Sequence, residues 1–239
     1  MDIALARSLA PDEGVLRLYR WSRPTLSFGR HQPAHGRYDS FAARGLGVDV
    51  VRRPTGGREV LHDRELTYSV AFPLHHLSGV RESYRVLNVA LVGALRSLGV
   101  PAEVAKPVGQ TPGPGAGPCF AAPAAGEVVV SGRKLVGSAQ VRIGGAILQH
   151  GSILLGPPSV PVHALWVDGS GGGETDSGAT LADFVEEPIG FPRVAAAVEA
   201  AMAGTFGGKW VRGDLTEEER VVARGVLPRY ESAEWTWRR

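Results

Sequence analysis

Apolar and polar positions alternate in several short stretches of the first third of the chain, a pattern typical of half-buried β-strands. An Arg-Pro pair separates the first two stretches and a proline ends the last, and both features interrupt strands. The sequence therefore predicts four strands there, at Gly14–Tyr19, Thr25–Phe28, Val48–Val51 and Leu66–Phe72.

Apolar residues then recur at the three- and four-residue spacing of an amphipathic helix. This helix is expected from about Val80 to Leu98, with Ser78 as its N-cap and Gly99 just beyond its end. Two helices are expected nearer the C-terminus, one over Pro192–Ala203 and one after Thr216, where Glu219 completes a capping box.

Two turn signals, Ser131-Gly132 and Gly144-Gly145, predict an antiparallel meander over about Gly126–Leu155. Loops are expected at Pro112–Pro118, which contains only Pro, Gly and Ala, and at the Gly/Ser-rich Asp168–Gly178. Since strands and helices do not alternate regularly, the expected fold class is α+β, with a mixed, mainly antiparallel sheet packed with helices. We expect one domain over residues 1–239, with a helical C-terminal segment over about 180–239.

The meander assigns its residues to two faces if its first turn contains two residues, since side chains alternate along a strand. Lys134 then lies on a polar face and the opposite, apolar or small face lies against the core. His150 falls opposite Lys134 unless a bulge reverses the count. The polar face comprises Lys134, Ser138, Gln140, Arg142 and Gln149, and the core face comprises Leu135, Gly137, Ala139, Val141 and Ile143.

Composition indicates neither a nucleic-acid nor a membrane partner. The 239 residues carry a formal net charge of +2, and 44% are hydrophobic and 21% charged, as in globular domains. No apolar run approaches the roughly 18 residues of a membrane span, and no signal-peptide pattern is visible. One cysteine excludes an internal disulfide and fits a reducing compartment, so a cytoplasmic protein is expected.

The single cysteine, Cys119, lies 15 residues before Lys134. A lone cysteine is often a buried small hydrophobe, and a strand lysine often lies on a solvated face. Cys119, however, follows a Pro/Gly loop rather than standing within a periodic apolar segment. A nearby ammonium group favours the thiolate form of a thiol. Cys119 and Lys134 are therefore the candidate catalytic residues, with acyl transfer as a suitable chemistry.

A glycine pair follows the third predicted strand, within the segment Arg52–Asp63. Glycines let a backbone approach a ligand closely, and its N–H groups can bind an oxyanion, although an ordinary turn fits equally well. The spacing is not that of a phosphate-binding P-loop. His62 and Asp63 are adjacent and do not indicate a Ser-His-Asp triad. A proline interrupts the His31/His35 pair, so no metal site is expected.

Seven blocks occur in order along almost the whole chain: Leu18–Gln32, Val51–Arg58, Val60–Val70, Cys119–Phe120, Gly132–Gln140, Leu148–Leu155 and Ser232–Trp235. Together they resemble the lipoate/octanoate protein attachment family, which has the biotin/lipoate protein ligase fold. The chain is most similar to the cysteine-dependent octanoyl-carrier-protein:protein N-octanoyltransferases. Cys119 stands at their thiol position, and Arg58 stands where ATP-dependent ligases usually carry a third glycine.

The resemblance implies a mechanism without metal, ATP or another cofactor. Cys119 would take the octanoyl group from octanoyl acyl carrier protein as a thioester, and Lys134 would position the acyl carbonyl and stabilise negative charge. A lysine of a lipoyl domain would then accept the group; glycine cleavage H protein and 2-oxoacid dehydrogenase subunits are the implied partners. The implied substrate-binding residues are Arg53, Thr55, Gly56, Gly57, Arg58, His62, Asp63, Gly137, Ser138, Ala139, Gln140 and His150.

Three other functions remain open at this point. An ATP-dependent lipoate-protein ligase would activate free lipoate and would not need Cys119. A lipoyl-domain amidotransferase would use the cysteine but take octanoate from another lipoyl-domain protein. A catalytically degenerate acyl- or lipoyl-domain-binding module is the non-enzymatic alternative, suggested by an N-terminal segment that departs from the family's usual acidic signature.

Overall fold

The computed structural model describes residues 1–106, 119–120, 123–167 and 178–238. The predicted loop at Pro112–Pro118 and residues 168–177 of the second predicted loop lie outside these ranges. The helices α1 to α6 of the described part are Asp2–Ser8, Ser40–Gly45, Val80–Ser97, Phe191–Phe206, Glu217–Glu231 and Ala233–Thr236. The strands β1 to β9 are Val15–Tyr19, Thr25–Phe28, Asp49–Arg52, Val60–His62, Glu65–Pro73, Glu103–Val104, Val128–Val130, Arg133–Ile143 and Ala146–Leu154.

The larger sheet has six antiparallel strands in the order β1-β5-β9-β8-β7-β6. Helices α3 and α4 cover one face, and the main hydrophobic core lies between them and the sheet. The apolar side of α3 supplies Leu87, Leu91 and Leu95, all fully buried. Helix α1 packs on the other face, where Ala6 contacts Ala71 and Leu148 of the sheet. Every residue of β5 is buried because it lies in the middle of these layers.

The smaller sheet has the order β3-β2-β4, with β2 parallel to β3 and antiparallel to β4. Arg52, at the end of β3, is 1% exposed. Its guanidinium donates to the carbonyls of Trp235, Thr236 and Arg238, and to that of Gly29. A buried guanidinium needs such acceptors, so Arg52 fastens the C-terminal segment beside the loop that follows β3.

Most elements predicted from the apolar pattern are present. The four early strands, the long helix, the meander and the capping box of Thr216 and Glu219 are confirmed, with ends shifted by one or two residues. Gly99 has φ +85 beyond the end of α3, as a helix-ending glycine requires. The prediction of Ser78 as N-cap is wrong: Gly79 occupies that position, and the Ser78 N–H donates to Glu82 instead.

The meander contains a β-bulge that the sequence pattern did not predict. Val129 lies opposite Lys134, as the two-residue turn predicts, but Val128 lies opposite Val136 rather than Leu135. One extra residue on β8 therefore interrupts the alternation. Since the side-chain period of a strand is two, this insertion moves every later side chain of β8 to the other face.

The predicted assignment of faces is consequently wrong beyond Lys134. A Cβ on Gly137 would lie 3.4 Å from Lys134 Cε, so Gly137 faces the same side as the lysine. Ala139, opposite His150, follows on that side. Ser138 instead turns toward α3, where its hydroxyl lies 2.6 Å from the Tyr68 hydroxyl. The bulge thus brings small residues and His150 to the Lys134 face.

Candidate active site

The thiol of Cys119 and the ammonium of Lys134 are in direct contact, with Nζ 3.2 Å from Sγ. The same nitrogen donates to the Cys119 carbonyl at 3.1 Å and to Glu127 Oε1 at 2.6 Å. Lys134 is only 2% exposed, so Glu127 rather than water compensates its charge. The other Glu127 oxygen accepts from the Ala124 N–H at 2.7 Å, which fixes the carboxylate.

A fixed ammonium beside a thiol favours the thiolate and stabilises an oxyanion that forms on a bound carbonyl group. The Phe120 ring lies 5.3 Å from Lys134 Nζ and adds a cation–π contact. The arrangement suits nucleophilic catalysis by Cys119, because the sulfur, its charge partner and that partner's counter-ion are all held in place.

The glycine-pair loop holds the backbone of Cys119. The Cys119 N–H donates to the Glu59 carbonyl at 3.0 Å, and Arg58 Nη2 donates to the Cys119 carbonyl at 3.0 Å. That carbonyl therefore accepts from both Arg58 and Lys134. Two segments far apart in sequence meet at the thiol, and Arg58 lies beside it.

Arg53 organises the loop itself. Its guanidinium donates to the carbonyls of Ser27, Gly56 and Arg58. Gly57 has φ +92, which favours glycine, and a Cβ on Gly29 would lie 1.8 Å from the Gly57 carbonyl oxygen. The loop therefore packs against β2 more closely than a side chain permits. Burial lowers the pKa of Arg53, and the nearby Cys119 and Glu59 groups act against that shift.

His150 connects the loop to α1. Its Nε2 lies 2.6 Å from Thr55 Oγ1, and its Nδ1 lies 3.5 Å from Asp2 Oδ2. Burial lowers the pKa of His150, and the hydrogen bond and charge of Asp2 oppose the shift. Asp2 is also ion-paired with Arg17. Burial raises the pKa of Asp2, but His150 and Arg17 outweigh that effect and hold the pKa at about 2.

His62 lies in a second buried hydrogen-bond chain. Its Nε2 is 2.7 Å from Ser27 Oγ and its Nδ1 is 2.7 Å from Glu65 Oε1. The Trp21 ring stacks on the imidazole at 4.4 Å. The partner carboxylate is thus Glu65, three residues later, whereas the adjacent Asp63 accepts from the Ser159 N–H. The chain Ser27–His62–Glu65 joins β2, β4 and β5.

A cavity of about 700 Å³ lies in front of Cys119 and Lys134. Tyr19, Trp21, Val51 and Val60 contribute apolar wall, and Leu227 of α5 borders it from outside the sheet. The predicted site residues that line it are Cys119, Lys134, Arg53, Gly57, Arg58, His62, Gly137, Ser138, Ala139 and His150. A largely apolar cavity whose wall includes a thiol fits an acyl chain bound as a thioester.

The other predicted site residues lie behind or beside this cavity. Thr55 is buried against His150, and the Gly56 carbonyl accepts from Arg53. Asp63 borders a smaller cavity of about 50 Å³ that also reaches Cys119. Gln140 lies on the α3 face of the sheet, its side chain 2.6 Å from that of Gln149. None of these four residues lines the large cavity, so the geometry gives them no direct contact with a substrate bound there.

Sequence reasoning missed three acidic residues of the site. Glu127 precedes the apolar strand Val128–Val130, and a charged residue there is the one signal that identifies it. Asp2 carries no local signal, because its partner His150 is reached only through the fold. Glu65 lies three residues after its partner His62, and that spacing is the signal that could have identified it. Tyr230 of α5 also lines the cavity, and the local sequence gives no signal that it does.

Two structural observations concern other kinds of site. Within the described residues, ligand atoms of Asp12, His75 and His76 lie within 4.8 Å of one another, but all three residues are exposed and lie apart from the cavity lining. No helix in the described ranges is both long and apolar enough to cross a membrane.

Comparison with known proteins places this geometry in a family. A model of the lipoyl protein ligase A/B catalytic domain matches residues 1–203. The chain belongs to this family. The octanoyltransferase LipM of Kyrpidia tusciae is 39% identical over 251 residues, covering 99% of this chain and 92% of that protein. The octanoyltransferase LipM of Carboxydothermus hydrogenoformans is 36% identical over 254 residues, covering 100% and 93%.

Solved structures lead to the same family. A T. acidophilum protein described as a lipoate protein ligase, with bound lipoic acid, superposes with a TM-score of 0.81 at 25% identity, covering 99% of this chain and 91% of that one. The predicted family, fold class and acyltransferase activity are thereby confirmed. The assigned roles of individual site residues, and the division into one domain, stay predictions. Helices α5 and α6 follow the last matched residue, 203.

Proposed function

We propose that this chain is an octanoyltransferase of lipoate biosynthesis that carries the acyl group on Cys119. Similarity to octanoyltransferases LipM over nearly the full length of both chains supports the activity. The contact of 3.2 Å between Cys119 Sγ and Lys134 Nζ, in the wall of a largely apolar cavity, carries the proposal.

In the first half-reaction, the Cys119 thiolate attacks the thioester carbonyl of octanoyl acyl carrier protein. A bond forms between Sγ and the acyl carbon, the bond to the carrier's sulfur breaks, and the carrier's thiolate takes up the proton that Cys119 lost. Lys134 supplies positive charge to the thiolate and to the tetrahedral oxyanion. The octanoyl chain occupies the cavity lined by Gly137 and Ala139.

In the second half-reaction, the neutral amine of a lipoyl-domain lysine attacks the acyl-Cys119 thioester. The new amide bond replaces the bond to Sγ, and the departing sulfur regains its proton as the amine loses one. Lys134 stabilises this leaving thiolate just as it stabilised the attacking one. Because an amide is more stable than a thioester, this transfer runs downhill without nucleotide hydrolysis.

Intact-mass measurement tests the proposal. The protein, incubated with octanoyl acyl carrier protein without ATP, is expected to gain one octanoyl group, which a lipoyl domain then removes. Cys119→Ala is expected to gain none and to transfer no octanoate. Lys209→Ala, which removes an exposed lysine, serves as the matched control and should behave like the wild type. Transfer by Cys119→Ala at the wild-type rate would contradict the thioester route.

The T. acidophilum structure with bound lipoic acid makes an ATP-dependent ligase the second candidate. That activity requires free lipoate and ATP and proceeds in Cys119→Ala. An amidotransferase instead acylates Cys119 from an octanoylated lipoyl domain and not from the carrier protein. Three parallel incubations, each with one donor, therefore assign the function.

A further inference from the structure

A serine, a histidine and a carboxylate beside the large cavity have the connectivity of a hydrolytic triad. Ser27 Oγ lies 2.7 Å from His62 Nε2, and His62 Nδ1 lies 2.7 Å from Glu65 Oε1. These are the contacts that join the nucleophile, the general base and the orienting carboxylate of a Ser-His-acid triad. We call Ser27, His62 and Glu65 the serine triad. Ser27 and His62 line the same cavity as Cys119.

The buried carboxylate of Glu65 selects the imidazole tautomer that such a triad needs. Its Oε1 accepts hydrogen bonds from the hydroxyls of Thr67 and Ser152 in addition to its contact with His62. Because a carboxylate only accepts, the hydrogen between Glu65 and the neutral imidazole lies on Nδ1. The Nε2 atom of His62 is then unprotonated, and it accepts the hydrogen of the Ser27 hydroxyl.

A cation lies on the other side of the Ser27 hydroxyl. Arg53 Nη1 donates to Ser27 Oγ at 3.2 Å and to the Ser27 carbonyl at 2.9 Å. The hydroxyl therefore accepts from Arg53 and has its single hydrogen available for His62. A positive charge at this distance stabilises the negative charge that Oγ gains as it loses its proton.

Strand pairing and a stacked ring hold the base against the nucleophile. Thr25 lies opposite His62 in the antiparallel pair β2–β4, and Ser27 is two residues further along β2. Ser27 and His62 are therefore diagonal neighbours on one face of the smaller sheet. The Trp21 ring stacks on the imidazole at 4.4 Å. Groups held in this way need no rearrangement before they react.

We propose that the serine triad is a second acyl-transfer centre, which hydrolyses carboxylic esters of medium-chain fatty acids. The cavity wall beside it includes Trp21, Val51 and Val60, which provide an apolar surface for the aliphatic chain. The proposal goes beyond the transferase function, because the reaction does not use the Cys119 thiol.

In the first step, Ser27 Oγ attacks the ester carbonyl carbon and its proton passes to His62 Nε2. The bond to the alcohol oxygen breaks, His62 gives the proton to that oxygen, and the acyl group stays on Oγ. Water then attacks the acyl-serine ester, with one of its protons passing through His62 to the departing Oγ, and the fatty acid is released. Glu65 keeps the imidazole oriented and stabilises its transient positive charge. The net reaction converts ester and water into fatty acid and alcohol.

Cys119→Ala is the background for the test, because it lacks the competing thiol. This variant is expected to hydrolyse p-nitrophenyl octanoate, and adding Ser27→Ala should slow the hydrolysis at least about 100-fold. Adding His62→Gln should have a similar effect, because glutamine cannot take up the proton. The control adds Ser97→Ala, which removes an exposed serine at the end of α3 and should leave the rate unchanged.

Covalent labelling identifies the nucleophile directly. An alkyl fluorophosphonate forms a stable bond to an activated serine oxygen and releases fluoride, so peptide mass mapping of Cys119→Ala should find the label on Ser27. In Cys119→Ala/Ser27→Cys the nucleophile becomes a thiol. With p-nitrophenyl octanoate, this variant should form an adduct that neutral hydroxylamine removes, as it removes thioesters. A purely structural Ser27 would give neither result.

Thermal unfolding shows which variants fold, and the labelling of Cys119→Ala decides the question even if Ser27→Ala does not fold. Unchanged hydrolysis in a folded Ser27→Ala variant, or a label on another residue instead of Ser27, would overturn the triad proposal and leave the transferase function untouched. Absence of an octanoyl adduct on Cys119 of the wild type would instead refute the transferase function without affecting the triad.

Discussion

Lys134 forms a buried ion pair with Glu127, and its Nζ lies 2.6 Å from the carboxylate while touching the Cys119 thiol on its other side. One cation therefore contacts both a carboxylate and the sulfur of the proposed nucleophile. Removing one partner of a buried pair leaves the other charge uncompensated, which costs more than the intact pair contributes. This asymmetry leads to the first prediction.

Glu127→Gln is expected to lower the free energy of unfolding by about 3 kcal/mol, because the Lys134 ammonium loses its buried counter-ion. Adding Lys134→Met removes the stranded charge and should restore part of the loss. Denaturant unfolding of the wild type, both single variants and the double variant gives the coupling energy. Strictly additive effects of the two substitutions would show that the pair contributes no coupling.

Lys134→Ala should slow both half-reactions by about 100-fold or more, because the same ammonium stabilises the attacking and the departing sulfur. Single-turnover acylation from octanoyl acyl carrier protein and deacylation by a lipoyl domain measure the two steps separately. Lys209→Ala removes an exposed lysine and should leave both rates unchanged. Loss of one step with the other intact would restrict Lys134 to that step.

Gly137→Ala should disturb the site, since the added Cβ would lie 2.9 Å from Phe120 Cζ and 3.4 Å from Lys134 Cε. We expect a loss of about 1–3 kcal/mol in unfolding free energy from overpacking, together with slower acylation of Cys119. Gly145→Ala, at the turn after β8, meets nothing within 4 Å and is the matched control. Wild-type acylation by Gly137→Ala would mean that Phe120 moves aside freely.

The free energy of unfolding should depend on pH through the protonation of His150. Its folded pKa lies below the ordinary value near 6.5 because of burial, although Asp2 opposes the shift and Arg53 and His62 add to it. As pH falls, the unfolded chain therefore binds a proton first. The folded state therefore keeps its full stability, as far as His150 contributes to it, above pH 6.5. The free energy of unfolding then declines as the pH falls toward the folded pKa of His150.

Unfolding free energies measured between pH 7 and 5 should thus fall more steeply for the wild type than for His150→Gln. One proton of difference corresponds to about 1.4 kcal/mol per pH unit. The Asp2 carboxylate titrates at about 2, outside this range. His76→Gln, an exposed histidine variant, should keep the wild-type slope. Parallel curves for the wild type and His150→Gln would show that His150 binds its proton equally in both states.

Local patterns predicted the elements well where a single element carries its own signal. The predicted bounds of β2 are those observed, and the capping box before α5 has both of its hydrogen bonds. The turn at Ser131-Gly132 pairs Val129 with Lys134 as expected. These features depend on residues close in sequence, so their patterns are visible in it.

The sequence also predicted part of the site, because several of its residues lie in short segments that carry a local signal. The sequence singled out Cys119, Lys134 and the loop that carries Arg58, which the fold brings together. It assigned Gly137 to the wrong face, because a bulge of one residue reverses a pattern of period two. Such a bulge arises from pairing with another strand, and the strand's own residues do not mark it.

By itself, then, the sequence determined most of the longer strands and helices, the family resemblance and the thiol–amine pair. Only the tertiary structure decided the counter-ion of Lys134, the carboxylate partners of His62 and His150, and the approach of α5 to the cavity. The physical reason is how far along the chain the residues that determine each feature are separated. Periodicity, turns and caps are local, whereas Asp2 and His150 lie far apart in the sequence, and Glu127 meets Lys134 only because the strands β7 and β8 pair.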